Sequence, residues 1–194
     1  MSEHILTTAP AHRSEGGSQP ASLPFHCEST RIVAASADAV FLNLDDHDRL
    51  TAHMSQSSWM MAGSRMDIEL DAAKGRAAGS LIRLRGRLLG IPIHVEEVVT
   101  EHAPPFRKAW ETIGAPKLLV IGRYKMGFEI TPQGTSSRLR VFIDYDLPAP
   151  LPERWLGFLL GGLYARWCTQ SMANDAAASF APTGLQKPPK EAAS

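Results

Sequence analysis

The sequence predicts an α+β fold in which a curved antiparallel sheet of about seven strands surrounds one long C-terminal helix, with two short helices after the first strand. Three observations lead there. Apolar residues recur at helical spacing near Ala39, alternate at strand period as far as Leu147, and return to helical spacing in a long run from about Glu153. Between the predicted strands no segment is long enough for a crossover helix, so they pair as antiparallel neighbours in a meander.

At 194 residues, 44% apolar and 21% charged, the composition is that of one globular domain. Lysine and arginine number 20 against 20 aspartates and glutamates, so the chain as a whole has no positive excess to hold nucleic acid or an anionic membrane. Cys27 and Cys168 have no second cysteine or histidine at metal-ligand spacing and read as reduced thiols of a cytoplasmic protein. Neither a metal nor another cofactor is expected. Met1 to Leu23 lacks the continuous apolar segment of a signal peptide and reads as a disordered tail. Residues 182–194, with Thr183, Gly184, Pro188 and Pro189, read as a second tail, which leaves 24–181 as the domain. The apolar run Trp155–Ala165 is far shorter than the roughly 20 residues of a membrane span.

The first strand is expected over Phe25–Ala35. Ser36 then caps a helix through Ala39-Val40-Phe41-Leu42, with Asp38 in its first turn. Asp45-Asp46-His47-Asp48 starts a second short helix to about His53. Its acidic and imidazole groups read as caps rather than metal ligands, because neighbours one apart on a helix do not converge.

After a Met-rich loop, strands follow at Arg65–Leu70, Ser80–Leu89, Ile91–Glu101, Arg107–Ile113, Leu118–Thr131 and Ser137–Leu147. Alternation separates their faces. Leu139, Val141, Ile143 and Tyr145 point inward, as do Val120, Tyr124, Met126, Phe128 and Ile130, while Arg123, Lys125 and Glu129 point out. Ile82, Leu84 and Leu88 are likewise inward, and Arg83, Arg85 and Arg87 form a solvated edge ladder. A two-residue turn at Gly90-Ile91 places Leu84 opposite Glu97 and Arg85 opposite Glu96, with His94 outside beside Arg87. Glu97 then lies on the apolar face with Ile93, Val95 and Val99, where a carboxylate must be hydrogen-bonded or kept for ligand or proton chemistry. A single bulge would exchange it with Glu96.

The final helix, from about Glu153 to Phe180, spans roughly 40 Å at about 1.5 Å per residue. Leu156, Leu160, Leu163, Trp167 and Asn174 form the stripe expected to cross the inward face. Gly157, Gly161 and Gly162 each cost about 1 kcal/mol relative to alanine, so they permit close packing or leave room for a ligand.

This order of elements resembles the helix-grip arrangement of the SRPBCC superfamily, which includes START lipid-transfer domains, pollen-allergen-like proteins and polyketide cyclases/dehydrases. Ala34-Ala35-Ser36-Ala37-Asp38-Ala39-Val40-Phe41 is similar to the first strand-to-helix junction of bacterial polyketide cyclase-like members. Leu44-Asp45-Asp46-His47 is similar to the corner after it, and Ala103-Pro104-Pro105-Phe106 with Trp110 to their turn into the fifth strand. The resemblance covers about Phe25 to Phe180 and transfers no catalytic motif.

It implies a hydrophobic cavity between sheet and helix for a lipid, aromatic or polyketide-like molecule. Candidate wall residues are Glu97, Trp110, Tyr124, Met126, Tyr145, Leu160 and Trp167. Three functions fit: a carrier whose tyrosines and Glu97 meet a ligand's few polar groups; a cyclase, dehydratase or isomerase-like enzyme using Glu97 and Tyr124 for acid-base chemistry; or a module that binds a protein partner.

Overall fold

The computed structural model describes residues 23–46, 66–88 and 91–181. The elements are β1 (Phe25–Val33), α1 (Ala37–Leu44), β2 (Met66–Leu70), β3 (Leu81–Leu88), β4 (Ile91–Ala103), β5 (Arg107–Lys117), β6 (Tyr124–Gln133), β7 (Ser136–Tyr145) and α2 (Leu151–Ser179). The strands form one antiparallel sheet in the order β1-β7-β6-β5-β4-β3-β2. The meander therefore runs from β2 to β7, and β1 closes its far side. The Ser36 cap forms as expected, its hydroxyl accepting from the Ala39 amide. Most of the second short helix, with His47 and Asp48, and both terminal tails fall outside the described residues. Asp45 ends α1 as its C-cap. No helix among the described residues is long and apolar enough to cross a membrane.

Leu118–Arg123 is not strand, contrary to expectation, and β6 begins only at Tyr124. The Asp146 carboxylate explains the break. It accepts from the Arg123 amide at 2.6 Å and from the Arg123 guanidinium at 2.9 and 2.5 Å. A side chain at position 122 would collide with the same carboxylate, so Gly122 is required there. The hairpin between β3 and β4 also differs. Leu88 pairs with Ile91, Ile82 with Glu97, Arg83 with Glu96, Leu84 with Val95 and Arg85 with His94. Every partner is displaced by two positions, an even shift that keeps each side chain on its expected face. Glu96 consequently pairs with Arg83, at 3.0 Å, and not with Arg85. The arginine strand is not an edge, because β2 covers it and Glu69 lies 3.6 Å from Arg85.

The convex face carries further cross-strand pairs, among them Arg140 with Glu28 and Glu129, Arg107 with Glu101 and Glu129, and His26 with Asp144. The concave face holds two apolar clusters. One joins α1 (Val40, Phe41, Leu44) to Phe128, Ile130, Leu139, Val141 and Ala173. The other gathers Ile121, Ile143, Tyr145 and Ala165. Tyr124 and Met126 touch both, so the core divides around them.

The helix α2 rests chiefly on β1 and β7. Its buried positions are Gly157, Gly161, Ala165, Thr169, Ala173 and Ala176. The large residues Leu156, Leu160 and Leu163, expected inward, point away, and Leu160 is 42% exposed. The glycines decide this orientation: a Cβ on Gly157 would lie 2.8 Å from the Val120 carbonyl oxygen, and one on Gly161 3.0 Å from it. Only the small-residue side of the helix can approach that backbone.

Candidate functional site

Glu97 sits in the middle of β4, where Ile93, Val95, Glu97 and Val99 are buried at every second position. It is 6% exposed. The Tyr124 hydroxyl, from β6, donates to Glu97 Oε1, and the Trp110 indole, from β5, lies near enough to favour the ionised carboxylate. Burial dominates both and moves the Glu97 pKa from 4.5 up to about 7, with Lys108 a weaker opposing charge. Burial first, and the Glu97 carboxylate second, hold the Tyr124 hydroxyl well above its ordinary range. Tyr124 nonetheless keeps part of its surface, as do Met126, Tyr164 and Cys168. Desolvated groups that retain surface lie where the packing of the core is interrupted.

Tyr164 and Cys168, one turn apart on α2, meet the sheet's group from above. Each shifts the other's titration, and both act electrostatically on Tyr124. Burial raises the Cys168 thiol to about 12, so it stays protonated and is not a nucleophile at neutral pH. Neither residue figured among the sequence candidates. The signal was available in the four-residue spacing of Gly157, Gly161, Ala165, Thr169 and Ala173, since Tyr164 and Cys168 flank that stripe.

A second buried group lies at the end of α1. Lys108 Nζ is 2.6 Å from Asp45 Oδ1, and His102 Nε2 is 3.1 Å from Asp45 Oδ2. Lys108 is 1% exposed, and burial lowers its pKa against the pull of Asp45. Sequence reading missed it, although Lys108 is two residues from Trp110 and therefore on the same inward side of β5.

Of the sequence candidates, Glu97, Trp110 and Tyr124 converge, and Met126 lies beside them between the two clusters. Tyr145 pairs with Tyr124 across β6 and β7 and is buried on the same face. Its hydroxyl, however, lies near Gly162, 3.8 Å from where a Cβ there would be. Trp167 is half-buried, its ring 6.0 Å from that of Tyr164. Leu160 is turned to solvent. Among the described residues no group of three or more His, Cys, Asp or Glu side chains is placed to hold a metal.

No family model and no curated protein sequence matches the chain. Solved structures do. Norcoclaurine synthase from Thalictrum flavum superposes with a TM-score of 0.56 at 17% identity, over 84% of this chain and 96% of that one. Ara h 8.0201 gives 0.53 at 12% identity over 79% and 98%, and the Zhui aromatase/cyclase from a Streptomyces species 0.53 at 15% over 78% and 93%. This chain shares the helix-grip fold of these structures, a curved antiparallel sheet around a long C-terminal helix. Within that fold the polar group lies between the concave sheet and the long helix, with Glu97, Trp110 and Tyr124 supplied by the sheet and Tyr164 and Cys168 by the helix.

Proposed function

We propose that the protein binds a small hydrophobic molecule, aromatic, lipid or polyketide-like, between sheet and helix, with its polar atoms received by Glu97 and Tyr124. The observation that carries this reading is a buried carboxylate bonded by a phenol, with an indole nearby, where the apolar core divides. Such a group is costly to bury and contributes nothing to packing that an apolar residue could not supply. A ligand hydroxyl or carbonyl within apolar walls gives it a use. The fold-level likeness to an aromatase/cyclase and to Ara h 8.0201 is compatible with either carriage or chemistry.

A second reading, acid-base catalysis, is favoured by one specific fact. A carboxyl titrating at about 7 is divided between base and acid near neutral pH. In that reading ionised Glu97 removes a proton from carbon next to a carbonyl, and the Tyr124 hydroxyl donates to the developing enolate oxygen.

Binding is tested by titrating the protein with 2-naphthol, a planar apolar molecule with one hydroxyl, and following tryptophan fluorescence. Wild type should saturate, Glu97→Gln and Tyr124→Phe should bind about tenfold more weakly, equivalent to about 1.4 kcal/mol, and Glu96→Gln should match wild type. An effect of Glu96→Gln equal to that of Glu97→Gln, or no saturation in wild type, would overturn the reading. Native mass spectrometry of protein from its own host would name the ligand class.

A further inference from the structure

The first half of α2 turns its large apolar residues outward. Leu151, Trp155, Phe158, Leu159 and Leu163 are between 63% and 73% exposed. Between Arg154 and Arg166 no residue is charged. At about 100° per residue the exposed side chains cover more than half of the helix circumference, and in this stretch Gly157, Gly161 and Ala165 face the protein. Beyond Gly162 the buried Tyr145 carries the exposed Phe25, whose ring stacks on it at 5.3 Å.

We propose that this half-helix is a docking ridge for the surface of a membrane containing anionic lipid. Shape is the first reason. A convex ridge that is apolar over more than half its circumference is surrounded by acyl chains without needing a matching groove, whereas a second copy would cover one side and leave the rest in water. Length is the second: eleven uncharged residues extend about 16 Å, too short to cross a hydrocarbon core of about 30 Å but suited to lying in the interface. Charge is the third. Arg154 and Arg166 bracket the ridge, both exposed, and neither forms an ion pair among the described residues. Neighbouring Glu153 has a carboxylate oxygen buried against the protein. Two unpaired guanidinium groups at the ends of an apolar ridge suit a phosphate-bearing, negatively charged surface, and Trp155 is of the residue type that concentrates at the headgroup level. None of these residues belongs to the Glu97 group, so the inference stands apart from the ligand reading.

The test is flotation of the full chain with vesicles of phosphatidylcholine alone or containing phosphatidylglycerol, with sedimentation velocity run in parallel without lipid. Wild type should float with the anionic vesicles. Phe158→Ser combined with Leu159→Ser should lower the bound fraction about tenfold, as should Leu163→Ser combined with Leu151→Ser, without lowering the melting temperature. Arg154→Glu combined with Arg166→Glu should remove the preference for phosphatidylglycerol. Absence of flotation in wild type, flotation unchanged in both serine variants, or a dimer that the serine variants dissociate while vesicles bind nothing would each overturn the proposal.

Discussion

Glu97 makes the stability of the protein depend on pH in a direction opposite to that of most carboxylates. Its pKa is 4.5 in the unfolded chain and about 7 in the fold. Below pH 4.5 both states hold the proton. Between 4.5 and 7 the unfolded chain releases it while the folded chain keeps it, so stability falls as pH rises; above 7 the loss is complete, at about 3 kcal/mol. Glu97→Gln should abolish this slope. Urea denaturation of both proteins from pH 4 to 8 measures it, and parallel profiles would show that the carboxylate is not desolvated. The direction in which Glu97 points was legible in the sequence, because Ile93, Val95 and Val99 share its phase. Its partners were not, since Trp110 and Tyr124 reach it from strands 13 and 27 residues away.

At the scale of elements, α2 shows how a helix is oriented by what it lacks. Hydrophobicity pointed to Leu156, Leu160 and Leu163 as the inward stripe, but close approach to the Val120 carbonyl selects Gly157 and Gly161 instead. Two alanine substitutions separate the effects. At Gly162 the nearest neighbour of an added Cβ is the Tyr145 hydroxyl at 3.8 Å, so Gly162→Ala should gain about 1 kcal/mol of helix propensity. At Gly157 the added carbon would meet Val120 O at 2.8 Å and Pro148 Cδ at 2.9 Å, so Gly157→Ala should lose about 1–3 kcal/mol despite the same propensity gain. Thermal melts of the two variants should therefore move in opposite directions; a common upward shift would contradict the packing. The β3–β4 hairpin carries a related lesson. Each residue's partner lies two positions from the expected one, yet the faces survived because side-chain direction has a period of two.

For the whole molecule, the domain should be self-sufficient between its expected tails. Met1–Leu23 and Thr183–Ser194 show no apolar periodicity and lack the material for a core. Removing both should leave the melting temperature within about 2 °C, and a fall beyond about 5 °C, more than about 1 kcal/mol for a chain of this size, would place stabilising contacts in those segments.

The order of periods in the sequence determined the architecture by itself, because a helix and a strand bury one face at spacings that cannot be confused over long segments. The inward side of β7 and of β6, the Ser36 cap and the placement of Glu97 on the concave face follow from that local arithmetic. Only the tertiary structure decided which distant groups share the interior. Lys108 meets Asp45 across 63 residues, and Tyr164 and Cys168 come over Glu97 and Tyr124, because sheet curvature and the glycine contacts of α2 set those distances. It also decided that the most apolar stretch of the chain faces outward. Hydropathy ranks residues by what water disfavours, whereas the side a helix presents to its sheet is settled by which residues leave room for backbone contact.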